Sequence, residues 1–219
     1  MPSFTPNFAI PYQTLADPPH GPDLGEDGFI AVDSALSGLD VRVDALEAAA
    51  KFTRIAESVL VGTTASVTFS SIPATYRALQ LHVVCRSDTA ALATNLLMRF
   101  NGDTAANYDH QDVGGQAAAP AASELLAQTS IQIKEMTGAS VAANHPAAFT
   151  INIAWYAGAT FLKLVNAQST WSNGTASGSL VTRNISGRWR STAAINSITL
   201  LPAAGSFIAG SSFALYGLP

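Results

Sequence analysis

A chain of 219 residues, of which 48% are hydrophobic and only 12% charged, is long enough to bury a sizeable core without disulfides or metals. The net charge of −4, with no basic stripe along the sequence, argues against direct binding to DNA or RNA. The single cysteine, Cys85, excludes an intrachain disulfide and a thiolate metal cluster, and its apolar neighbours predict a buried thiol.

Acidic residues are concentrated towards the N-terminus. Residues 1–55 contain eight acidic and three basic residues, a net charge of −5, whereas the other 164 residues carry +1. The N-terminal segment lacks the basic and apolar regions of a secretory signal, and no run approaches the roughly 20 apolar residues of a membrane-spanning helix. The sequence therefore predicts a soluble protein without a membrane span, made in the cytoplasm and built from two dissimilar parts.

Residues 1–28 are predicted to form an extended, proline-rich arm. Six prolines and three glycines in this segment disfavour both a helix and a central strand. Large apolar and aromatic residues nevertheless recur between the prolines, namely Phe4, Phe8, Ile10, Tyr12 and Leu15. Such residues would not stabilise a free linker. In an arm that lies in a groove of a partner, they would be buried in the interface and would strengthen binding. The sequence favours a docking arm, and a disordered tail is the alternative.

Residues 29–55 are predicted to form a short coiled-coil helix. Apolar residues recur at alternating steps of three and four, the heptad spacing of an oligomerisation seam: Phe29, Val32, Leu36, Leu39, Val43, Leu46 and Ala50. Asp27 can cap the start of this helix. The seam is too short to fix the number of copies by itself, and we expect a trimer from the fibre-like layout. An amphipathic helix packed on its own head is the alternative.

Residues 56–219 are predicted to form a mainly β, jelly-roll-like β-sandwich head. Alternating polar and apolar residues, separated by turns rich in glycine and asparagine, mark many short strands. The predicted strands cover residues 66–72, 78–86, 95–101, 130–136, 148–156, 161–167, 179–184, 196–201 and 212–216. Residues 116–126, rich in alanine, read as a long loop that ends in a helical turn.

Few residues of the head suggest chemistry. The local cluster Asp109, His110 and Asp112 places His110 and Asp112 on one face of a strand, where they could bind a metal or orient an imidazole. A hydrated strand end beside a glycine turn explains the same residues more simply. A glycan depolymerase with Asp109, Asp112 or Glu124 as the acid or base is the weakest hypothesis. With no recognisable catalytic motif, we expect a non-enzymatic protein without cofactor or metal.

Aromatic residues in the second half of the head could form a ligand platform. Exposed tryptophans stack on sugar rings, and arginines contact phosphate or carboxylate groups. The candidate residues are Trp155, Trp171, Trp189, Arg188 and Arg190. The alternative is that the tryptophans belong to the core or to a subunit interface.

Several segments resemble a family of virion surface proteins from bacteriophages of actinobacteria. Residues 7–22, followed by an acidic helix, are similar to the N-terminal attachment segment of such proteins. The head is similar to phage tail and fibre-like β domains at residues 71–81, 97–103, 107–108, 198–202, 205–207 and 210–217. The resemblance covers most of the chain, but its motifs are structural, and no functional residue carries over.

The resemblance implies a trimeric short fibre or spike on the virion surface, assembled in the host cytoplasm. Its arm would insert into other virion proteins of the capsid or tail, and its β head would bind the host surface, with cell-surface glycan as a candidate ligand. A capsid decoration protein that stabilises the shell is the alternative within the same setting.

Overall fold

The computed structural model describes residues 3–4, 11–12, 32–43, 51–117, 119–174 and 179–219. The chain divides into two compact units, residues 1–51 and 52–219. The second unit is a mainly β head of two antiparallel sheets, as the sequence predicts, and this arrangement is consistent with a β-sandwich.

The described residues of the first unit form a two-residue antiparallel pair, β1 (Ser3–Phe4) with β2 (Pro11–Tyr12), and a helix, α1, at residues 32–43. Helix is therefore confirmed for the middle of the predicted 29–55 segment. Its predicted end is wrong, because residues 53–55 lie in a strand of the head. The predicted seam and arm residues outside the described part of the chain are Phe8, Ile10, Leu15, Phe29, Leu46 and Ala50.

The head contains strands β3 to β14. Their bounds are β3 (Thr53–Val59), β4 (Val67–Phe69), β5 (Ala78–Cys85), β6 (Ala93–Phe100), β7 (Tyr108–Gln116), β8 (Ala119–Gln128), β9 (Ile131–Thr137), β10 (Ala147–Ala154), β11 (Lys163–Ser172), β12 (Leu180–Trp189), β13 (Ile198–Pro202) and β14 (Ser212–Leu218). The large sheet has the order β3-β14-β5-β10-β11-β12-β7-β8, and the small sheet has the order β4-β13-β6-β9.

Period-two burial explains why the strands pair in this way. In β11 every second residue from Lys163 to Trp171 is buried, and the residues between them are exposed. A strand with one apolar side must place that side against a second layer. Strand β9 of the small sheet supplies part of this layer, since it contacts β7, β10, β11 and β12 of the large sheet.

The core lies between the two sheets and is mostly aliphatic. Leu81, Ile151, Ile133 and Leu200 are fully buried. Cys85 is also buried, as predicted, and burial raises the pKa of its thiol well above the ordinary value. The sheets approach closely where β12 faces β9, because a Cβ at Gly187 would lie 2.8 Å from a methyl group of Ile131.

All nine predicted strand ranges overlap strands of the head. Three head strands, β3, β7 and β8, lie outside these ranges, although the spacing of His110 and Asp112 already indicated a strand at β7. Strand β3 lies in a segment assigned partly to the helix, and β7 contains the acidic cluster. Residues 119–126, predicted as a loop with a helical turn, belong instead to β8, which pairs with β7 along its length. The edge strand β8 gains its backbone hydrogen bonds from β7, and this gain outweighs the low strand propensity of alanine and proline.

Candidate functional site

The cluster Asp109, His110 and Asp112 on β7 is divided between two environments. His110 and Asp112 both contact β9 of the small sheet, so they share the inner face as their spacing predicts. Asp109 instead contacts two arginines at the end of β12. All three side chains are buried, which rules out the simpler interpretation as a hydrated strand end.

Asp109 is held by Arg188 and Arg190 together. Its Oδ2 atom accepts hydrogen bonds from Nε of each arginine at 2.8 Å, and its Oδ1 atom accepts one from the Ala127 backbone at 2.9 Å. The hydrogen bond from Arg190 outweighs the effect of burial and holds the pKa of Asp109 well below its usual range, with help from Ala127 and Arg188. Asp109 therefore stays ionised near neutral pH, and its lack of a proton argues against a role as a catalytic acid.

A bulge in β8 brings the Ala127 amide to this carboxylate. The register between β7 and β8 shifts between Tyr108 and His110, and Ala127 has a φ of 54°, a conformation that costs a non-glycine residue free energy. The hydrogen bond from Ala127 to Asp109 offsets part of this strain. The bulge in the edge strand therefore supplies Asp109 with a backbone hydrogen-bond donor in addition to the two arginines.

Asp112 belongs to an ion-pair network between the sheets. It accepts a hydrogen bond from Ser123 and lies 3.5 Å from the ammonium of Lys134 and 3.9 Å from Nη1 of Arg183. Arg183 also donates from Nη2 to Glu135 at 2.7 Å. The network thus links β7, β8, β9 and β12 through charged groups that are largely withdrawn from water.

Glu135 completes this network with an aromatic partner. Its second carboxylate oxygen accepts a hydrogen bond from Nε1 of Trp171 at 2.8 Å, and its φ of 68° marks a strained position in β9. Trp171 is only 6% exposed. Among the described residues, no group of three His, Cys, Asp or Glu side chains is placed to hold a metal ion.

His110 lies beside the network and lacks a full set of partners. Nδ1 accepts a long hydrogen bond from the Gln132 backbone at 3.5 Å, and Nε2 is buried without a partner in the described part of the chain. Burial lowers the pKa of His110, and Lys134 lowers it further, against opposing contributions from Asp112 and Asp109. The imidazole is therefore held in its neutral form.

The predicted ligand platform is not assembled, because two of its tryptophans are core residues. Trp189 is 3% exposed, stacks against Tyr108 and donates from Nε1 to Asp103 at 2.7 Å. Trp171 is bound to Glu135 inside the sandwich. Only Trp155 is open to solvent, with 59% of its surface exposed. The alternative interpretation of the tryptophans as core residues is correct for Trp171 and Trp189.

A buried ammonium supports the loop that contains Trp155. Lys163 is 1% exposed, and its Nζ donates to the backbone oxygens of Gly158 at 2.5 Å, Phe161 at 3.0 Å and Thr192 at 3.0 Å. Burial lowers the pKa of Lys163. Trp155 covers Gly158 so closely that a Cβ there would lie 2.2 Å from the indole nitrogen. The loop between β10 and β11 is therefore pinned in one conformation while Trp155 and Phe161 remain exposed.

The outer face of the large sheet carries side chains of a different kind. The antiparallel register aligns one row across five strands from β5 to β7: Gln80, Asn152, Asn166, Ser186 and Gln111. Every member of this row carries an amide or a hydroxyl group. None of these five side chains is buried.

Two further rows run parallel to the first. The register aligns His82, Thr150, Gln168, Asn184 and Val113 in the next row, and Val84, Ala148, Thr170, Thr182 and Gly115 in a third. Across these three rows from β5 to β7, no outward position holds Asp, Glu, Lys or Arg. We call this surface the neutral face. It borders Leu164 and Arg188, which are paired in the row beyond.

Comparison with known proteins identifies no relative: no protein-family model, curated protein or solved structure matches the chain. In the parts of the chain that the structure describes, no helix has both the length and the apolar character to cross a bilayer. The function must therefore be argued from the chemistry of the surfaces and of the buried groups.

His110 predicts a loss of stability on mild acidification. The unfolded chain binds a proton at His110 as the pH falls through 6.5, whereas the folded chain resists protonation until a lower pH. The contribution of His110 to the free energy of unfolding should be complete above pH 6.5. Below pH 6.5 the free energy of unfolding should decrease by at most about 1.4 kcal/mol per pH unit. Asp109 affects the free energy of unfolding only at more acidic pH, because the pKa of its carboxyl in the unfolded chain is near 3.8. Urea unfolding measured across this range checks the prediction.

The substitution His110→Gln should flatten the pH dependence between neutral pH and pH 5, whatever its effect on stability at neutral pH. His82→Gln, which removes an exposed imidazole from β5, is the matched control. A slope that survives in His110→Gln would show that another group is responsible.

Lys163→Met should loosen the loop of Trp155. Methionine keeps the aliphatic bulk but removes the donor to three carbonyl oxygens, so we expect a loss of roughly 1–3 kcal/mol of stability. Hydrogen exchange should quicken in residues 155–162 and remain slow in β5 and β10. Lys51→Met changes an exposed lysine and should leave both properties unchanged. Unaltered exchange in the loop of Lys163→Met would contradict the pinning role of the ammonium.

Proposed function

We propose that the chain is a non-enzymatic structural protein that self-associates through α1 as a trimer and presents several copies of the β head for surface binding. The observation that supports this best is the apolar stripe of α1. Val32, Leu36, Leu39 and Val43 are each between 38% and 54% exposed. Large aliphatic side chains at heptad spacing are destabilising in water and stabilising in a helix-helix interface.

Helix geometry places the four stripe residues within one narrow sector. At 100° per residue, Val32, Leu36, Leu39 and Val43 fall within about 60° of one another. Val41 points in the opposite direction, although it is also exposed. Isolated helices of about 12–15 residues are marginal in water, so contact with other copies would supply most of the stability of the helical residues 32–43.

The setting that we propose is the surface of a bacteriophage virion. Its support is the resemblance of the N-terminal segment and the head to virion proteins, together with the order of arm, helix and β head. Phe4 and Tyr12 on β1 and β2, with Phe8, Ile10 and Leu15, would dock on capsid or tail proteins. The alternation of the head strands between two sheets supports a jelly-roll-like head.

The head supports binding better than catalysis. The carboxylates considered as an acid or base are engaged: Asp109 by two arginines, and Asp112 by Ser123 and the ion-pair network. Glu124 lies on the edge strand β8, and its cross-strand partner is Gln111. A binding head gains from several copies, because avidity multiplies a weak affinity without any new contact.

The stripe of α1 can be tested by its effect on molecular mass. The double variant Leu36→Asp/Leu39→Asp places like charges in the seam and should convert the oligomer to a monomer in light scattering at micromolar concentration. Val41→Asp adds a charge to the opposite side of the same helix and should leave the mass unchanged. A wild-type chain that is already monomeric at this concentration would refute self-association and favour the helix packed on its own head.

Deleting residues 1–28 should abolish incorporation of the chain into virions while the oligomer mass per chain remains the same. Purified particles probed for the protein by immunoblot provide the measurement. Particles that lack the whole protein then separate the two roles. Loss of host adsorption with unchanged heat stability supports a fibre or spike, whereas early release of DNA on heating supports the alternative of a capsid decoration protein.

A further inference from the structure

We propose that the neutral face binds a neutral polysaccharide, whose hydroxyl groups hydrogen-bond to the rows of amide and hydroxyl side chains on β10, β11, β12 and β7. The inference deepens the proposed function, on which it rests for the copies that turn a weak site into a strong one. The site itself is a property of the head. It does not include the predicted platform residues Trp171 and Trp189, which are buried.

The amide side chains of the neutral face hydrogen-bond to their neighbours on β5 and β10, whereas those on β11 and β12 do not. Gln80 donates from Nε2 to Asn152 at 2.7 Å, and the Gln80 carbonyl oxygen lies 2.9 Å from Nε2 of His82. On β11 and β12, Asn166, Gln168 and Asn184 make no side-chain hydrogen bond to the described residues. Their donors and acceptors are therefore directed to solvent and available to a ligand.

The absence of charge on this face selects among ligand classes. A surface of average composition would carry about four charged residues in fifteen positions, and these three rows carry none. Nucleic acid requires basic groups against its phosphates. Protein interface cores are enriched in aromatic residues, methionine and arginine, which are absent from Gln168, Asn184 and their neighbours in the rows. A neutral, polyhydroxylated polymer complements a face of this composition.

The geometry of the sheet suits an extended polymer. Neighbouring strands lie about 4.8 Å apart, and successive outward residues on a strand lie about 6.7 Å apart, so the rows form a regular grid. Amides and hydroxyls both donate and accept, as sugar hydroxyls do, and each such bond contributes only about 0.5–1.5 kcal/mol. Binding by one head is therefore expected to be weak and to depend on several rows at once.

Aromatic rings lie at two borders of the neutral face. Tyr216 on β14 is paired in register with Gln80, and its ring centroid lies 5.4 Å from that of His82. Trp155 follows the last residue of β10, is 59% exposed and is fixed by the loop that Lys163 supports. Such rings provide surfaces for the C–H faces of sugars next to the hydrogen-bonding rows. They give the site a place to stack a sugar ring without adding charge.

Retention of the full-length oligomer on immobilised polysaccharides tests the proposal. The probes are a neutral glucan, a neutral mannan and a neutral galactan, with polygalacturonate as the anionic comparison, each at low and at high salt. We expect retention on at least one neutral polymer, unchanged by salt. The double variant Gln168→Ala/Asn184→Ala should reduce this retention at least tenfold.

The matched control is Asn144→Ala/Asn196→Ala, which removes two exposed amides that lie in loops outside the neutral face. It should bind as the wild type does. Thermal unfolding should be the same for both double variants, since all four side chains face solvent. A loss of binding shared by both variants would contradict a site on the neutral face.

Several results would overturn the proposal. They are no retention on any neutral polymer, retention that Gln168→Ala/Asn184→Ala leaves unchanged, or retention only on polygalacturonate that salt abolishes, which would point to Arg188 and Arg190. A lower mass of Gln168→Ala/Asn184→Ala in light scattering would identify the face as a subunit interface instead. Failure of the proposed function is seen separately, as a monomeric mass of the wild-type chain or an unchanged mass of Leu36→Asp/Leu39→Asp. Retention by a single head would then be weaker, and the face variants should still reduce it.

Discussion

Ionic contact between β7, β9 and β12 is the constraint on which the head depends. The large sheet has eight strands and the small sheet four, so apolar cover ends near β9, the edge of the small sheet. Asp112, Lys134, Arg183 and Glu135 meet at this border. Removing one partner of a buried pair costs about 3–5 kcal/mol, because the other charge is left without compensation. The network therefore fixes how the two sheets are placed on one another.

The same preference for satisfied internal charge extends along the large sheet. Asp109 is enclosed by Arg188 and Arg190, and Lys163 is enclosed by three backbone oxygens. The neutral face lies on the same outer side of β7 and β12 as the pair Asp109–Arg188, but begins one row away from it, and its own positions carry no charge. With only 12% charged residues, the protein uses part of its charge inside the head, where it determines geometry, and leaves an uncharged area on the outer surface of the large sheet.

Period two in the sequence was enough to locate the strands whose inward residues are apolar, such as β10 and β11. It indicated β7 only at His110 and Asp112 and missed β8, because the residues that explain these inward polar side chains lie on β9 and β12 and are distant in sequence. For the same reason the sequence left open whether the tryptophans belong to the core or to an exposed platform. Trp171 is buried because Glu135 receives its N–H group, and no local pattern shows that pairing. The neutral face needed the register of five strands before its rows could be recognised.

The bulge at Asp109 has a consequence for neighbouring copies. In the described part of the chain the large sheet ends at β3 and β8, and edge strands offer unpaired backbone groups to other copies, which an oligomer of the proposed kind would hold at high local concentration. Strand β8 contains Pro120, which has no backbone donor, and it is distorted where Ala127 reaches Asp109. At the other end, β3 carries the Arg54–Glu57 ion pair. Both edges are thus poor templates for strand addition, and in the proposed oligomer neighbouring heads would remain separate instead of fusing into one continuous sheet.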